Sequence, residues 1–373
     1  MTDREAVALA VFGYPRRRLL AALIRTWLGR PFPDVDTLPP PQPGEPVVTW
    51  ACRCAGEASP DDEARALLDA ADRSIDRARR SGCAVVGLAA PEYPAVLRQI
   101  PDPPTALWVR GSVAALSASR MVAVVGARAA TRAGLAVAAD LAAGLAAAGV
   151  TVVSGLARGI DGAAHQAALA RGGASVAVLG SGLERVYPAE HAGLADALAR
   201  HGAVVSEHLP DTPALPYHFP LRNRIISGLS AAVVVVEASD KSGSLITAMA
   251  ALDQGRDVMA VPGPVGTGRH RGGHALLRDG ACLVECADDV LCELGWAEPR
   301  PVRGPGAGRL PPELAAELGL DPATEDFSTD DVAAATGRPI AAITARLGAL
   351  ELDGQIRRMG GGRFIATRNR VLT

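Results

Sequence analysis

The chain is 373 residues long and 49% of it is apolar, enough for two or three domains with a sizeable core. Aromatics make up only 3%, and the many Ala and Gly residues suit close helix–sheet packing better than an all-β fold. A formal charge of −2 excludes a globally basic nucleic-acid binder, so any cationic surface has to be a local patch.

The opening MTDREAVALAVFGYPRRR mixes charges of both signs with an apolar run too short for a signal peptide. Residues 1–80 read as a small helical domain. AVALAVFG and RRRLLAALIRTWLG precede a Pro-rich break at 31–46, and DDEARALLDAADRSIDRARR opens after Ser59 and Pro60, an N-cap and first-turn pair. CAVVGL then reads as a strand, followed by an irregular Pro-rich lead-in, PEYPAVLRQIPDPPTALWVRG. From 121 to about 295, strands at MVAVV, VTVVS, ASVAVLG, AVVSE, AAVVVVEA, DVMAVP and ACLVE alternate with Ala-rich helical stretches. Near-continuous Val runs mark strands buried on both faces, so a doubly wound, mostly parallel α/β sheet is predicted within 81–296.

Residues 297–311 (EPRPVRGPGAGRLPP and its flank) form a linker by composition. The tail, 312–367, reads as three helices and then two short strands around GGG. Ile340, Ile343, Leu347, Leu350 and Leu352 recur at helical spacing. That order resembles a winged helix with 338–353 as the recognition helix. No uninterrupted apolar stretch approaches a membrane span. Cys52, Cys54, Cys83, Cys282, Cys286 and Cys292 contain no CxxC pair. A cytoplasmic protein with no membrane association, buried reduced thiols and no structural metal is expected.

Three Gly-rich turns carry the conspicuous polar residues: VAVVGARAATRAG from Val122, VTVVSGLARGIDGAAH from Val150 and AAVVVVEASDKSGSLITA from Ala231. In a parallel sheet they open at one edge, where free N–H groups and helix N-termini favour an anion. Gly126 and Arg128 mark the first. In the second, Ser154 and Gly155 end the strand, Arg158 stands before the helix and Gly159 allows close backbone approach. Lys241, the sole lysine, precedes Ser242, Gly243 and Ser244 in the third, where hydroxyls add to an anion nest. PYHFPLRNRIISGLS adds Arg222, Asn223 and Arg224 as a clamp for successive phosphates, with Phe219 and Tyr217 as stacking platforms for bases.

Asp161 and His165, four apart on one helix face, read as a helix-start carboxylate and a hydrogen-bonded histidine rather than an acid/base pair. His270 and His274 in AVPGPVGTGRHRGGHALLRDGA lack a carboxylate at helical spacing, so a flexible basic loop is favoured over a metal site. GxGxxG, a ribose-binding acid and GxxxxGK[ST] are all missing, which disfavours dinucleotide cofactors and P-loop chemistry.

On YPAVLRQIPDPPTALWVRG, VVGARAATRAG, VVSGLARGIDGAAHQAAL, AVLGSGLERVYPAEH, LPYHFPLRNRIISGLS, VVVVEASDKSGSLITAMAALDQGRDVMAVPGP and GGHALLRDGACLV, the chain resembles the bacterial DNA-processing protein A (DprA/Smf) family. The resemblance implies an extended Rossmann-like domain that binds single-stranded DNA in a basic pocket and forms a homodimer. It implies delivery of the RecA recombinase onto incoming DNA during natural transformation, with single-strand-binding protein as a further partner and no cofactor or catalysis. A small helical (SAM-like) N-terminal domain and a winged-helix tail belong to the same pattern. Carried over residue by residue, the pocket falls on Arg128, Arg158, Arg222, Arg224 and Lys241. Ala127 stands where a Ser is common, and 272–274 (GGH) replaces a GTN- or GCN-like triplet.

The alternative is a nucleotide-binding phosphoribohydrolase of the related Rossmann group, since PGPVGTG echoes a PGGxGTxxE motif. Here Pro264 replaces the second Gly and no Glu follows. For the tail, residues 304–373 hold 8 Arg against 9 Asp plus Glu, which weakens a duplex-DNA role.

Overall fold

The computed structural model describes residues 1–13, 16–30, 38–297 and 310–366, apart from 323, 325, 354 and 359–361. It forms two compact units, Met1–Ala297 and Glu298–Thr373. Most of the expected linker, and the tip of the expected wing, lie outside the described residues.

The first unit opens with helices α1 (Asp3–Gly13), α2 (Arg17–Trp27), α3 (Val47–Cys54) and α4 (Pro60–Arg80). α4 has Pro60 in its first turn with Asp61, Asp62 and Glu63, and Arg77, Arg79 and Arg80 in its last, so its charges complement the helix dipole. Ser59 precedes it but makes no side-chain cap bond. These helices share one hydrophobic core with a face of the sheet, running from Ala6 and Phe12 through Trp108 to Val125 and Val235. Polar latches add to it. Asp3 accepts from Gly87 N at 2.8 Å, and Arg77 pairs with both Glu184 and Asp211.

The sheet strands are β1 (Ala84–Gly87), β2 (Ala106–Gly111), β3 (Met121–Val125), β4 (Thr151–Ser154), β5 (Ser175–Val178), β6 (Ala203–Ser206), β7 (Ala232–Val235), β8 (Asp257–Ala260) and β9 (Cys282–Leu283). Their order is β1-β2-β6-β5-β4-β3-β7-β8-β9. β1, β2 and β6 pair antiparallel, and β6 through β9 pair parallel. β2 lies inside the stretch expected to be irregular: prolines crowd its start, yet ALWV pairs in full register with β1. Between strands run α5 (Ala95–Arg98), α6 (Arg132–Ala147), α7 (Ile160–Ala170), α8 (Ala192–His201), α9 (His218–Leu229), α10 (Gly243–Asp253) and α11 (Arg271–Arg278), with α12 (Ala287–Glu293) last. Val122, Val124, Val152 and Val234 face a second core under α6, α7 and α12, so the central strands are buried on both sides. From β3 the chain winds out through β4, β5 and β6, then returns to the other flank of β3 at β7. That reversal leaves a crevice at the C-terminal ends of β3 and β7.

The second unit contains α13 (Pro312–Leu318), β10 (Phe327–Ser328), α14 (Thr329–Thr336), α15 (Ile340–Leu352), β11 (Ile356–Arg358) and β12 (Arg363–Ala366). Ser328 and Asp331 form a capping box on α14, and Gly337 ends it in the left-handed region at φ 67°. β10, not anticipated, gives a three-stranded sheet β10-β12-β11. Ile343, Leu347 and Leu350 enter its core as expected, but Ile340 is exposed.

Candidate nucleic-acid interface

The three turns converge at the crevice because their backbones touch. In the first, Ala127 N donates to Glu237 O at 2.7 Å, and a Cβ at Gly126 would meet Ile160 Cγ1 at 2.6 Å. In the second, Gly159 (φ 75°) has no room for a Cβ against the carbonyls of Ala127 and Arg128. Leu156, fully buried, is also left-handed at φ 57°, so this turn is held in a conformation that its side chain disfavours. Glu237 binds the turns together from below. Its Oε2 accepts from Thr131 N at 3.0 Å and from Thr131 Oγ1 at 2.8 Å, while Thr131 caps α6 by accepting from Gly134 N.

A cleft of about 530 Å³ opens over these turns. Its side wall is α9, on which Phe219, Arg222, Asn223 and Ile226 follow one another at helical spacing and share the cleft face. Ser239, Ser242, Gly243 and Ser244 form the opposite rim. Ser242 caps α10, with its Oγ 2.7 Å from Ser244 Oγ. Asn223 joins the two walls by donating from Nδ2 to Gly243 O at 3.2 Å.

Arg222 is the central cation. It is 4% exposed and donates from Nη1 to Gly155 O at 2.6 Å and to Val178 O, and from Nε to Asn223 Oδ1 at 3.1 Å. Burial lowers its pKa to about 10, with nearby Asp161 opposing and Arg128 reinforcing the shift, so it stays charged at neutral pH. Its Nη2 makes no hydrogen bond among the described residues, and neither does the hydroxyl of Thr247, 2% exposed on the same cleft lining. Gly155 exists for this arrangement: a Cβ there would run into the Arg222 guanidinium. Over the cleft, Arg128 Cζ lies 4.9 Å from the Phe219 ring centre, and Tyr187 packs 5.4 Å from the same ring. Arg128 is exposed and makes no ion pair among the described residues.

Not every candidate reaches the cleft. Ser154 is fully buried and donates to Val124 O at 2.7 Å, stitching β4 to β3 rather than facing a ligand. Arg158 lies outside the main cleft beside Tyr187 and Pro188, in an exposed bidentate pair with Glu190 at 2.7 and 2.8 Å. Lys241 is exposed and without an ion pair among the described residues, on the turn between the rim residues Ser239 and Ser242. Arg224 points away. Two residues apart on a helix means a rotation of roughly 200°, so Arg222 and Arg224 cannot form one clamp. Arg224 instead bonds Glu207 at 2.9 and 2.6 Å and Asp102 at 3.1 Å, beside Arg17, Tyr217 and Leu221. The stacking role expected of Tyr217 is displaced to the same side.

The acid/base candidates are occupied. Asp161 accepts from Gly155 N at 3.1 Å and Ala157 N at 3.4 Å; burial raises its carboxyl, and Arg222 and those N–H groups oppose the rise. His165 is fully buried against Ser175 Oγ at 2.8 Å, and burial lowers it to about 3, so it is neutral. His274 lies on α11 with its Nε2 2.9 Å from Gly263 O in the preceding loop, so the segment read as a flexible loop is in part an anchored helix. Among the described residues no His, Cys, Asp and Glu side chains group as a metal site, and no helix is long and apolar enough to cross a membrane. The cysteines are free, though only Cys52 and Cys83 are buried. Glu237, Thr131 and Tyr187 were not singled out from the sequence; Glu237 closing a strand just before ASDKSGS was the available signal.

Residues 84–295 match the family model for DNA recombination-mediator protein A, and 297–362 match that for the DprA winged-helix domain. Protein Smf of Escherichia coli is 45% identical over 281 residues, covering 72% of this chain and 74% of Smf. DNA processing protein DprA of Bacillus subtilis is 42% identical over 216 residues, 58% of this chain and 73% of that one. The X-ray structure of DNA processing protein A from Streptococcus pneumoniae aligns with a TM-score of 0.62 at 34% identity, covering 79% of this chain and 98% of that chain. The Helicobacter pylori protein, solved for its single-stranded DNA binding mode, aligns with a TM-score of 0.52 at 26% identity over 57% of this chain and 95% of its own. With more than half its length matched by the family's own domain, and with the crevice at the sheet reversal built from the matching turns, the chain belongs to the DNA-processing protein A (DprA/Smf) family.

Proposed function

We propose that the cleft holds single-stranded DNA without cutting it, and that the protein serves as a recombination mediator that passes the strand to RecA. The observation that carries this reading is Arg222: a buried, charged guanidinium lining an open cleft, with Nη2 making no hydrogen bond among the described residues. Phosphate oxygens complete its bonding, helped by the N-terminus of α10 and by the exposed Arg128 and Lys241 at the rim. Phe219, between Arg128 and Tyr187, offers a face on which a base stacks; such stacking is sequence-tolerant and contributes about 1–3 kcal/mol per base. The engagement of Asp161 with backbone N–H groups and of His165 with Ser175 favours holding over hydrolysis. The H. pylori relative's single-stranded DNA binding supports the ligand, and the family's description as a recombination mediator supports the hand-over to RecA. Action on incoming DNA in the cytoplasm, as a homodimer, with single-strand-binding protein displaced or retained, belongs to the same reading.

Fluorescence anisotropy with labelled oligo-dT and a matched duplex tests it. Binding that prefers the single strand, weakens with salt and is lost in Arg222→Met is expected. Equal affinity for duplex, or robust hydrolysis of nucleoside monophosphates that Arg222→Met abolishes, would favour the phosphoribohydrolase-like reading. RecA filament nucleation on coated single strands, with and without the protein, tests the mediator step.

A further inference from the structure

The segment between β8 and α11, PGPVGTGRHR, belongs to none of the three turns, yet it is tied to two of them. Gly272 N donates to Ala238 O at 2.9 Å and Gly273 N to the same carbonyl at 3.4 Å, seating the start of α11 on the third turn. From the same stretch, Arg269 Nη1 donates to Ala129 O at 2.8 Å on the first turn and lies 3.5 Å from Oε1 of the buried Glu237. The segment is also closed on itself. His274 Nε2 lies 2.9 Å from Gly263 O, and the His270 ring fills the space where Gly263 lacks a Cβ. The two histidines therefore staple the loop, and the loop fixes 269–271 at the rim where the first and third turns meet. Arg269 is half exposed there, with Nε and Nη2 unbonded among the described residues; Arg271 is exposed with no ion pair among them.

We propose that Arg269 and Arg271 form a second phosphate-binding station, on the β8 side of the cleft, that takes the backbone of a single strand as it leaves the cleft. This rests on the cleft being the primary DNA site. Its warrant is preorganisation: Ala129 O and Glu237 already hold the Arg269 guanidinium, so its remaining donors reach a phosphate with little further loss of side-chain freedom. Its position also fits a strand that crosses the rim from the first turn towards the third, instead of one that ends at Arg222.

The test compares oligo-dT of about 6 and about 20 nucleotides, since single-strand sites span roughly 4–16 nucleotides. Arg271→Ala, at an exposed position without an ion pair among the described residues, guards against misfolding; Arg269→Gln and Arg269→Lys complete the set. Expected are wild-type affinity of Arg271→Ala and Arg269→Gln for the short strand, about three- to ten-fold weaker binding of the long one, and a salt slope shallower by roughly 0.7 per lost phosphate. Arg269→Lys should keep the slope. Unchanged long-strand affinity and slope in both neutral variants, or equal losses on both lengths, would overturn the second station alone. A wild-type protein that binds neither strand would overturn the primary reading and this one with it.

Discussion

Replacing Arg224 with methionine separates two roles that one short motif blurs. Arg224 is 14% exposed and makes its bonds to Glu207, 11% exposed, and to Asp102, which Arg17 of α2 also holds at 2.8 Å. Burial pushes both carboxyls up, yet the two guanidiniums together hold them below the usual carboxylate range. Methionine fills a similar volume but leaves two carboxylates facing Arg17 alone. Removing one partner from a buried pair costs about 3–5 kcal/mol, here reduced by whatever Arg17 recovers. At roughly 2–4 °C per kcal/mol for a unit of this size, the unreduced cost corresponds to a fall in the midpoint of unfolding of roughly 6–20 °C, and the Arg17 contribution lowers that figure. The loss should also grow with pH across the carboxylate range. Carboxyls with depressed folded pKa values stabilise the native state above about pH 4.5, and lose that contribution as acid protonates them. DNA binding discriminates the roles. At a temperature where the variant is folded, the oligo-dT salt slope should equal that of the wild type, because no phosphate contact has been removed. A variant with an unchanged midpoint and a slope shallower by roughly 0.7 would refute this account and return Arg224 to the phosphate track.

Gly155→Ala places a methyl group against the Arg222 guanidinium, so oligo-dT affinity should drop at least about ten-fold, one buried charge-assisted contact being worth about 1.5–3 kcal/mol; Gly193→Ala, whose Cβ meets nothing within 4 Å, is the control and should bind normally. Phe219→Ala should weaken oligo-dT binding by about 1–3 kcal/mol with the salt slope intact, and Phe219→Trp should restore it; loss of slope in Phe219→Ala would show that the ring merely props Arg128. Acid should destabilise the protein from near pH 6.5 downwards. Burial holds His165 down to about 3 and His208 to about 4, from an ordinary 6.5, so both fold neutral while the unfolded chain takes up protons. Each should cost about 1.4 kcal/mol per pH unit between its two values, and a midpoint flat from pH 7 to pH 5 would contradict that.

Much of this arrangement is legible in the one-dimensional chain. Strands buried on both faces announce themselves as valine runs, and Gly159 marks the start of α7 as surely as any cap. β2 was hidden because the prolines at 101, 103 and 104 drown a short apolar run that only its neighbours' register reveals. The direction of Arg224 was hidden for a different reason. RNR reads as two equivalent cations, and only the helix that contains them, which begins before Phe219 and continues through Pro220, assigns them opposite faces. Glu237 escaped because a carboxylate beneath an anion-binding turn looks adverse, until its Oε2 is seen to be spent on Thr131.

The sheet edge also resolves the tension between a chain of charge −2 and a phosphate ligand. Composition counts cations without asking which are already matched. Arg224 is neutralised by the largely buried Glu207 and the part-buried Asp102, whereas Arg158 faces one exposed carboxylate whose hold on it is screened and weak. Arg222 has no ion-pair partner among the described residues, and its charge is sustained by carbonyl oxygens that a phosphate does not have to displace. Arg128 and Lys241 stand in solvent at the rim without ion pairs among the described residues. Local potential over the cleft is therefore set by the few cations that the fold leaves unmatched, against Asp161 and Glu237, whose carboxylates already accept from backbone N–H groups and from Thr131, while the acidic residues farther away act at distances where salt screens them.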